Sequence, residues 1–274
     1  MPLLSQQQLD LINFELTQQS LTSDFAWRSV AKTHIGNVRP TNEDAFLEST
    51  DQRLWAVADG MGGLSRGDYA SKAVVTTLQG FSQLATLNEN IIDLEQRLLD
   101  ANETCRTAFR SKKLGSTVAA LFEFKSHLFL IWAGDSRIYR LRENALTLLT
   151  QDHTVLQKKF TESNPPPENC STNAPSKNSH TDYSGARPAA HVLTQAIGVH
   201  KKLCLELSHE RLQVNDRYLL CSDGLYNSLN HEQIRNLLGH GSTEKALNRL
   251  IDSALEYGGE DNTTAVVLEA TEAP

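Results

Sequence analysis

The chain has 274 residues, of which 39% are hydrophobic and 22% are charged, values typical of a globular protein with one large or two small domains. Its net charge of −7 argues against nucleic acid as a partner, because phosphate backbones are bound by clustered Lys and Arg. No segment approaches the ~20 apolar residues that a membrane-spanning helix needs, so we expect no membrane association.

The cysteines and the N-terminus both indicate a reducing, cytoplasmic environment. The four cysteines form no CxxC pair, and four in a chain of this length do not suggest a disulfide framework. The first residues lack the basic region and apolar stretch of a signal peptide. We therefore expect a cytoplasmic protein with free thiols.

The first predicted element is a helix within residues 5–21, with Ser5 as a possible N-cap. Apolar residues recur near helical spacing at Leu9, Ile12, Leu16 and Leu21. Leu11 and Phe14 lie off that face. We interpret residues 1–25 as an N-terminal helical extension that packs on the core, with attachment to a partner as the alternative.

Strands and helices then follow in groups. Strands are predicted at 26–35, 44–49 and 53–59, and helices at 65–81 and 89–111. Short polar turns join the next predicted strands, at 116–124, 127–134 and 136–143, with a further candidate at 145–153.

Residues 161–188 differ from the rest of the chain in composition. They are rich in Pro, Ser and Asn and nearly lack aliphatic residues, so they cannot bury enough surface to order themselves. We predict a flexible loop or flap inserted in the domain. Strand patterns resume after it, so the segment is not a domain boundary.

The C-terminal part is predicted to mix strands and helices. Strands are expected at 203–212, 216–224 and 263–269, and helices at 230–239 and 243–257. Asn230 is the expected cap of the first helix, and Gly258 the left-handed residue that ends the second. Two antiparallel sheets packed face to face and flanked by pairs of helices would use all these elements, which predicts an α+β domain over residues 26–270.

Four aspartates stand at the ends of predicted strands. Asp59, Asp135 and Asp223 each follow an apolar run, and Asp261 precedes one. Each alone is explained by a turn, since Asp-Gly is a common turn pair. Together, on neighbouring strands, they would form a cluster of negative charge that is stable mainly with bound cations.

The ligand types favour magnesium or manganese. No His or Cys stands beside these acids at zinc spacing, and the alternating acids of a calcium loop are absent. Carboxylates from separate strands favour a two-metal site, which lowers the pKa of a water for attack at phosphorus. Arg39, just before Glu43 and Asp44, could bind phosphate oxygens, although alone a salt bridge to either acid explains it.

Seven motifs, in this order, resemble the metal-dependent Ser/Thr protein phosphatases of the PPM (type 2C) family. They are RPTNED at 39–44, VADGMGG at 57–63, GSTVAAL at 115–121, GDSRIY at 134–139, LTQDH at 149–153, LLCSDGL at 219–225 and EDNTTAVV at 260–267, and the resemblance as a whole covers residues 27–269. The form DGMGG is similar to the one found in the bacterial branch of the family. The first seventy residues resemble the phosphatases associated with bacterial type VI secretion.

The resemblance implies the PPM-type sandwich fold and a centre of two Mn²⁺ or Mg²⁺ ions with a possible third. By this resemblance, Asp59 is expected to bridge the two ions, Asp223 and Asp261 to serve the first, and Glu43 to serve the second, with Gly60 contributing its carbonyl. Asp135 is expected to hold the third ion and Arg39 to bind the substrate phosphate. Asp44 and Asn262 are expected to support the ligands.

The implied activity is hydrolysis of phosphoserine and phosphothreonine in proteins by a water bridging the two ions, without a phosphoenzyme, in opposition to a bacterial Ser/Thr kinase. Implied partners are phosphorylated proteins, a cognate Ser/Thr kinase and a forkhead-associated-domain protein. An interaction protein that kept the fold and lost the metals is the alternative, disfavoured because every expected acid is present. A phosphatase directed by a partner through residues 1–25 or 161–188 would add to the first interpretation.

Four positions depart from the family pattern or need a role. Met61 stands where many eukaryotic members have a His proposed as general acid, and a thioether cannot donate that proton, so the acid remains open. Leu64 and Asp68 replace the His and Glu of many bacterial relatives. His153 is expected to bond a strand end rather than to act in catalysis.

Overall fold

The computed structural model describes residues 6–17, 25–62, 66–108, 114–157 and 192–273. The flap predicted at 161–188 lies outside these ranges. So do Leu21 of the first predicted helix and Leu64, which follows the VADGMGG motif.

Eleven strands are present in the described ranges. They are β1 (Phe25–His34), β2 (Asp44–Ser49), β3 (Leu54–Met61), β4 (Gly115–Ser116), β5 (Val118–Phe124), β6 (His127–Ala133), β7 (Arg137–Arg142), β8 (Ala145–Leu148), β9 (Glu206–Arg211), β10 (Arg217–Cys221) and β11 (Thr263–Glu272). They form a five-stranded sheet of order β1-β11-β10-β7-β8 and a six-stranded sheet built on β2-β3-β5-β6-β9, with β4 paired to β3. Their ladders are antiparallel.

Helices cover both outer faces of these sheets. They are α1 (Gln6–Thr17), α2 (Gly67–Gln79), α3 (Leu87–Ala108), α4 (Asp223–Ser228), α5 (His231–Leu238) and α6 (Thr243–Glu256). The first three pack on the six-stranded sheet in one apolar cluster, and the last three pack on the five-stranded sheet in another. The two-sheet α+β architecture predicted from the sequence is confirmed.

The central core lies between the two sheets. Trp55 and Val57 of β3 point into it, and Tyr218 and Leu220 of β10 meet them from the opposite sheet. The intervening Ala56 faces α2 and α3 instead, because successive side chains of a strand point to opposite faces. This alternation fixes the register of β3 and therefore the position of its last residues.

Helix α1 packs on the body of the domain through one face. Leu9, Ile12 and Leu16 are buried in the cluster that contains α2 and α3. Leu11 and Phe14 are 64% and 67% exposed, as their position off the apolar face predicts. The structure therefore shows docking of this helix on the core, whereas the division of the chain at residue 25 remains a prediction.

Several predicted boundaries were wrong. A helix, α4, begins at Asp223, where we expected only a turn after the strand. By contrast, the glycine predicted to end α6 does have a positive φ, 131° at Gly258, and Gly259 follows it at φ 55°. The predicted strands at 203–212 and 145–153 are reduced to β9 and β8, because pairing with β6 and β7 stops there. Among the described residues, no helix is long and apolar enough to cross a membrane.

Candidate metal centre

The strand ends that carry the four aspartates open into one cleft of about 850 Å³. The cleft is bounded by residues from both sheets and from the loops that join them. Eight of the nine predicted site residues line it, namely Arg39, Glu43, Asp59, Gly60, Asp135, Asp223, Asp261 and Asn262. The ninth, Asp44, is not among the lining residues.

Asp44 is buried and connects the two sheets. It pairs with Asp59 across the β2–β3 ladder, and only 6% of it is exposed. Ser222 Oγ donates to Asp44 Oδ2 at 2.7 Å and accepts a hydrogen bond from Thr264 N at 3.0 Å. Burial and the nearby Asp223 raise the pKa of Asp44 to about 7. The predicted supporting role of Asp44 is therefore consistent with its place behind the cleft.

Asp59 lies near the end of β3 with its backbone held on both sides. Its N–H donates to Thr117 Oγ1 at 3.0 Å, and its carbonyl accepts Thr117 N at 2.9 Å and Ser116 Oγ at 3.1 Å. Burial raises the pKa of Asp59 well above its usual value, and Asp44, Asp223, Asp135 and Asp261 raise it further. Asp59 has four acidic neighbours and therefore lies at the centre of the negative charge in the cleft.

Gly60 allows a close approach between β3 and the start of α2. A Cβ at Gly60 would lie 2.1 Å from the Gly67 carbonyl oxygen, so no other residue fits there without a shift. Gly60 N donates to Glu43 O at 3.1 Å, and Gly67 N donates to Glu43 Oε1 at 2.9 Å. The Gly60 backbone and the Glu43 carboxylate are thereby held next to each other.

Asp135 follows β6 in a tight turn. Gly134, at φ 114°, donates its N–H to His153 Nδ1 at 3.2 Å, and Tyr226 Oη donates to Asp135 O at 2.9 Å. The other ring nitrogen of His153 lies 3.0 Å from Glu206 Oε1. His153 thus bonds a strand end, as predicted. Burial and neighbouring carboxylates raise the pKa of Asp135 to about 7.

Asp223 and Asp261 complete the acidic lining. Asp223 is the first residue of α4, and its Oδ2 accepts Asn227 Nδ2 at 3.2 Å. Asp261 Oδ1 accepts the N–H of Asn262 at 2.9 Å. The Asn262 side chain holds the loop between β1 and β2 by donating to Ile35 O at 2.8 Å and Thr41 O at 3.0 Å.

Arg39 lies at the rim, with 55% of its side chain exposed. Its Nη2 donates to Asp261 Oδ2 at 2.6 Å, and this bond raises the pKa of the guanidinium. The sequence spacing suggested a salt bridge from Arg39 to Glu43 or Asp44, and that expectation is therefore wrong. The acid that Arg39 contacts is 222 residues away in the chain.

The donors of the cleft fit divalent cations that prefer oxygen. Carboxylates outnumber the single Arg among its lining residues, and burial together with neighbouring carboxylates raises the pKa of Asp59 and of Asp135. Within the described ranges, no three acidic, imidazole or thiol groups already converge on one point. Oxygen-only ligands suit Mg²⁺ or Mn²⁺ better than zinc.

Sequence reasoning missed the hydroxyl groups that join these acids. Thr117 Oγ1 and Ser136 Oγ lie 2.7 Å apart, and Thr117 also bonds the Asp59 backbone, so they link the β3 end to the Asp135 turn. Both belong to motifs singled out above, which was the available signal. The apolar lining residues Val192, Leu193 and Val199 had no such signal.

Comparison with known sequences gives one consistent family. Residues 32–262 match the profile of the family described as Protein phosphatase 2C. The serine/threonine protein phosphatase PstP of Mycobacterium tuberculosis is 30% identical over 249 residues, which cover 89% of this chain and 45% of PstP. The chain thus spans about half of PstP. The serine/threonine phosphatase stp of Listeria monocytogenes is 31% identical over 87% of this chain and 94% of its own.

Solved structures agree with the sequence relatives. PppA, described as a key regulatory component of T6SS in Pseudomonas aeruginosa, superposes with a TM-score of 0.78 at 33% identity, over 89% of this chain and 98% of its own. The catalytic domain of PstP in complex with two manganese ions superposes with a TM-score of 0.75 at 30% identity, over 90% and 100%.

Proposed function

The chain belongs to the protein phosphatase 2C family, and we propose that it is a metal-dependent protein phosphatase that hydrolyses phosphoserine and phosphothreonine monoesters. One observation carries this proposal: acids from the ends of strands in both sheets line a single cleft with Arg39 at its rim. The relatives named above, at 30–33% identity, support the same activity.

Six residues are proposed to hold the metal ions. In this assignment Asp59 would serve two ions, Asp223 and Asp261 would serve one of them, and Glu43 and the Gly60 carbonyl would serve the other. Asp135 is the proposed ligand of a third ion. When bound, Mn²⁺ or Mg²⁺ would neutralise this cluster and lower the pKa of a water for attack at phosphorus.

Arg39 is proposed to bind and orient the substrate phosphate. One of its five N–H donors bonds Asp261, which fixes the guanidinium at the mouth of the cleft and leaves other donors for phosphate oxygens. Its exposure lets a phosphorylated side chain on a protein reach it. Met61 also lines the cleft, but its thioether has no proton to give a leaving group.

A covalent route through cysteine finds no support in the described residues, since no Cys is among those that line the cleft. Cys221 is fully buried, and burial raises its pKa well above the usual value. Burial also raises the pKa of Cys105 to about 11. Both therefore remain thiols near neutral pH, which favours direct attack by water.

We also propose a cellular role for this activity. The likeness to PppA supports a place in type VI secretion. We propose in addition that the protein acts in cytoplasmic signalling, in opposition to a bacterial Ser/Thr kinase. A forkhead-associated-domain phosphoprotein is the proposed substrate or partner. We further propose that residues 26–270 form the phosphatase domain and that residues 1–25 and 161–188 are its extension and its flap.

The activity is tested by release of orthophosphate from a phosphothreonine peptide with Mn²⁺, with Mg²⁺ and with a chelator. Turnover that depends on either ion supports the proposal. A folded protein that binds Mn²⁺ but releases no phosphate would contradict it and favour an interaction role for the same fold.

A further inference from the structure

The loop between β1 and β2 carries Arg39, and its tip contacts the connection between α6 and β11. This connection, residues 257–262, also carries Asp261. Asn262 holds the two ends of the loop through Ile35 and Thr41, and Asn262 Oδ1 accepts Glu43 N at 2.8 Å. The position of Arg39, in the middle of the loop, therefore depends on what holds the tip.

Asn37 ties the tip to the end of α6. Its Nδ2 donates to Leu255 O at 2.9 Å and to Gly258 O at 3.0 Å, and its backbone N–H donates to Gly259 O at 2.7 Å. Leu255 lies in the last turn of α6, where its carbonyl also accepts Gly258 N at 3.2 Å, and Gly258 and Gly259 follow the helix, so these bonds attach the loop to the C-terminal end of α6. Two side-chain bonds and one backbone bond thus hold this exposed residue in one place.

Two glycines make this contact close. Gly36 has φ 81°, and a Cβ there would lie 2.4 Å from Asp261 O. Gly259 has φ 55°, and a Cβ there would lie 2.8 Å from Asn37 Nδ2. The two segments thus lie backbone to backbone, with the Asn37 amide across them.

The contacts form a closed ring that ends at the cleft. Asn37 is two residues before Arg39, and Gly259 is two residues before Asp261. The 2.6 Å bond between Arg39 and Asp261 closes the ring on the cleft side. Loss of the Asn37 bonds would open the far side and leave Arg39 on a looser loop.

We propose that Asn37 is a positioning residue that holds Arg39 at the cleft rim for phosphate, through its hydrogen bonds to the end of α6. This inference rests on the proposed function only in assigning phosphate to Arg39. Asn37 itself would not touch the substrate. A held guanidinium loses less side-chain entropy when phosphate binds, so the benefit should appear in affinity.

The test compares Asn37→Ala with wild type in the Mn²⁺-loaded protein. Orthophosphate affinity, measured by calorimetry, should fall about three- to tenfold, the range expected for ordering one long side chain. The KM for p-nitrophenyl phosphate should rise by about the same factor. The turnover number should change less than about twofold. Asn248→Ala, which removes an amide bonded to Lys32 from the middle of α6, is the matched control and should leave all three unchanged.

A double-mutant cycle separates positioning from a general structural role. If Asn37 acts through Arg39, then Asn37→Ala in an Arg39→Ala background should change orthophosphate affinity less than about 1.5-fold. Mn²⁺ affinity should be unchanged by Asn37→Ala. Effects that multiply in the double variant, unchanged phosphate affinity in the single variant, or a parallel loss of Mn²⁺ binding would each overturn the inference.

The same samples distinguish this inference from the proposed activity. A wild-type protein that binds orthophosphate but hydrolyses nothing would contradict the activity, and the binding comparison would still decide the role of Asn37. A wild-type protein that binds no orthophosphate would contradict the inference itself.

Discussion

Arg39 Nη2 lies 2.6 Å from Asp261 Oδ2, so the cation at the rim of the cleft is paired with one of the acids that line it. The pair joins the β1–β2 loop to the start of β11, two segments that are far apart in sequence. It gives Arg39 a defined position although more than half of its side chain is exposed. It also places positive charge where a phosphate would enter a cleft that is otherwise acidic.

Replacing Arg39 by Lys should weaken phosphate binding despite the conserved charge. A lysine ammonium lacks the planar fork that meets Asp261 and phosphate oxygens together. We expect kcat/KM for a phosphothreonine peptide to fall about ten- to a hundredfold, as for the loss of one or two charge-assisted hydrogen bonds. Arg28→Lys, at an exposed Arg whose guanidinium lies 3.7 Å from a Glu269 carboxylate oxygen, is the control. Equal kinetics for Arg39→Lys and wild type would contradict the assignment.

Gly60→Ala should destabilise the fold and displace the backbone at the cleft. The new methyl group would lie 2.1 Å from Gly67 O and 2.5 Å from Glu43 O, which are backbone atoms that cannot rotate away. Overpacking of this kind costs about 1–3 kcal/mol of unfolding free energy. Urea unfolding measures it. Gly62→Ala, whose methyl group would lie 3.4 Å from its nearest atom, should cost far less unfolding free energy. Equal losses in the two variants would show that the close approach of Gly60 to Gly67 and Glu43 is unimportant for stability.

The chelated protein should lose stability as the pH rises. The pKa values of Asp44 and Asp135 are raised to about 7, so the folded state prefers their protonated forms. The resulting stabilisation is complete below the ordinary carboxyl pKa near 4 and is lost as the pH rises through about 7. With chelator, Tm should fall between about pH 5 and pH 8.

Saturating Mn²⁺ should reverse that trend, because cations bind the ionised acids. The Mn²⁺-induced rise in Tm should therefore be larger at about pH 8 than at about pH 5. Asp135→Asn should flatten part of the slope seen with chelator. A metal-free Tm that does not change, or rises, over this interval would show that burial and neighbouring acids do not raise these pKa values in the folded state.

His127 should destabilise the protein in acid. Burial, His209 and Arg211 lower its pKa to about 4, and the His209 ring is stacked 5.9 Å from it. Stability from this shift is complete above the ordinary His pKa near 6.5 and is lost as the pH falls through about 4.

The variant His127→Gln tests this directly through the pH dependence of urea unfolding. Its unfolding free energy should fall less than that of wild type between about pH 6.5 and pH 4. The exposed His240, replaced by Gln, should leave the wild-type slope intact. Parallel slopes for His127→Gln and wild type would mean that this ring can be protonated in the folded protein without cost.

Much of the fold could be predicted because its signals are local. The alternation in β3 and β10 follows the period of a strand, so the sequence correctly placed Asp59 near the end of β3 and Asp223 just after β10. The capping box of α5 is equally local, since Asn230 and Gln233 bond each other's backbone.

The remaining features depend on which segments meet in space. Arg39 could have contacted Glu43 or Asp44 by spacing alone, and only the sheet order brings it to Asp261. The helix that begins at Asp223 follows a strand-like run with no separate periodic pattern of its own, so a turn was the simpler expectation. Val199, which lines the cleft, belongs to an irregular segment without a sequence signature.

The measurement that tests the central claim most directly is Mn²⁺ titration calorimetry with phosphopeptide turnover on wild type, Asp59→Asn and Asp252→Asn. Asp252 makes the matched change at an exposed carboxylate on α6, outside the cleft. We predict that wild type and Asp252→Asn bind at least two ions and release phosphate. Asp59→Asn should lose ion binding and at least about a thousandfold of turnover, as for removal of a central catalytic element. Normal Mn²⁺ binding and turnover in Asp59→Asn would contradict the claim that these strand ends form the metal centre.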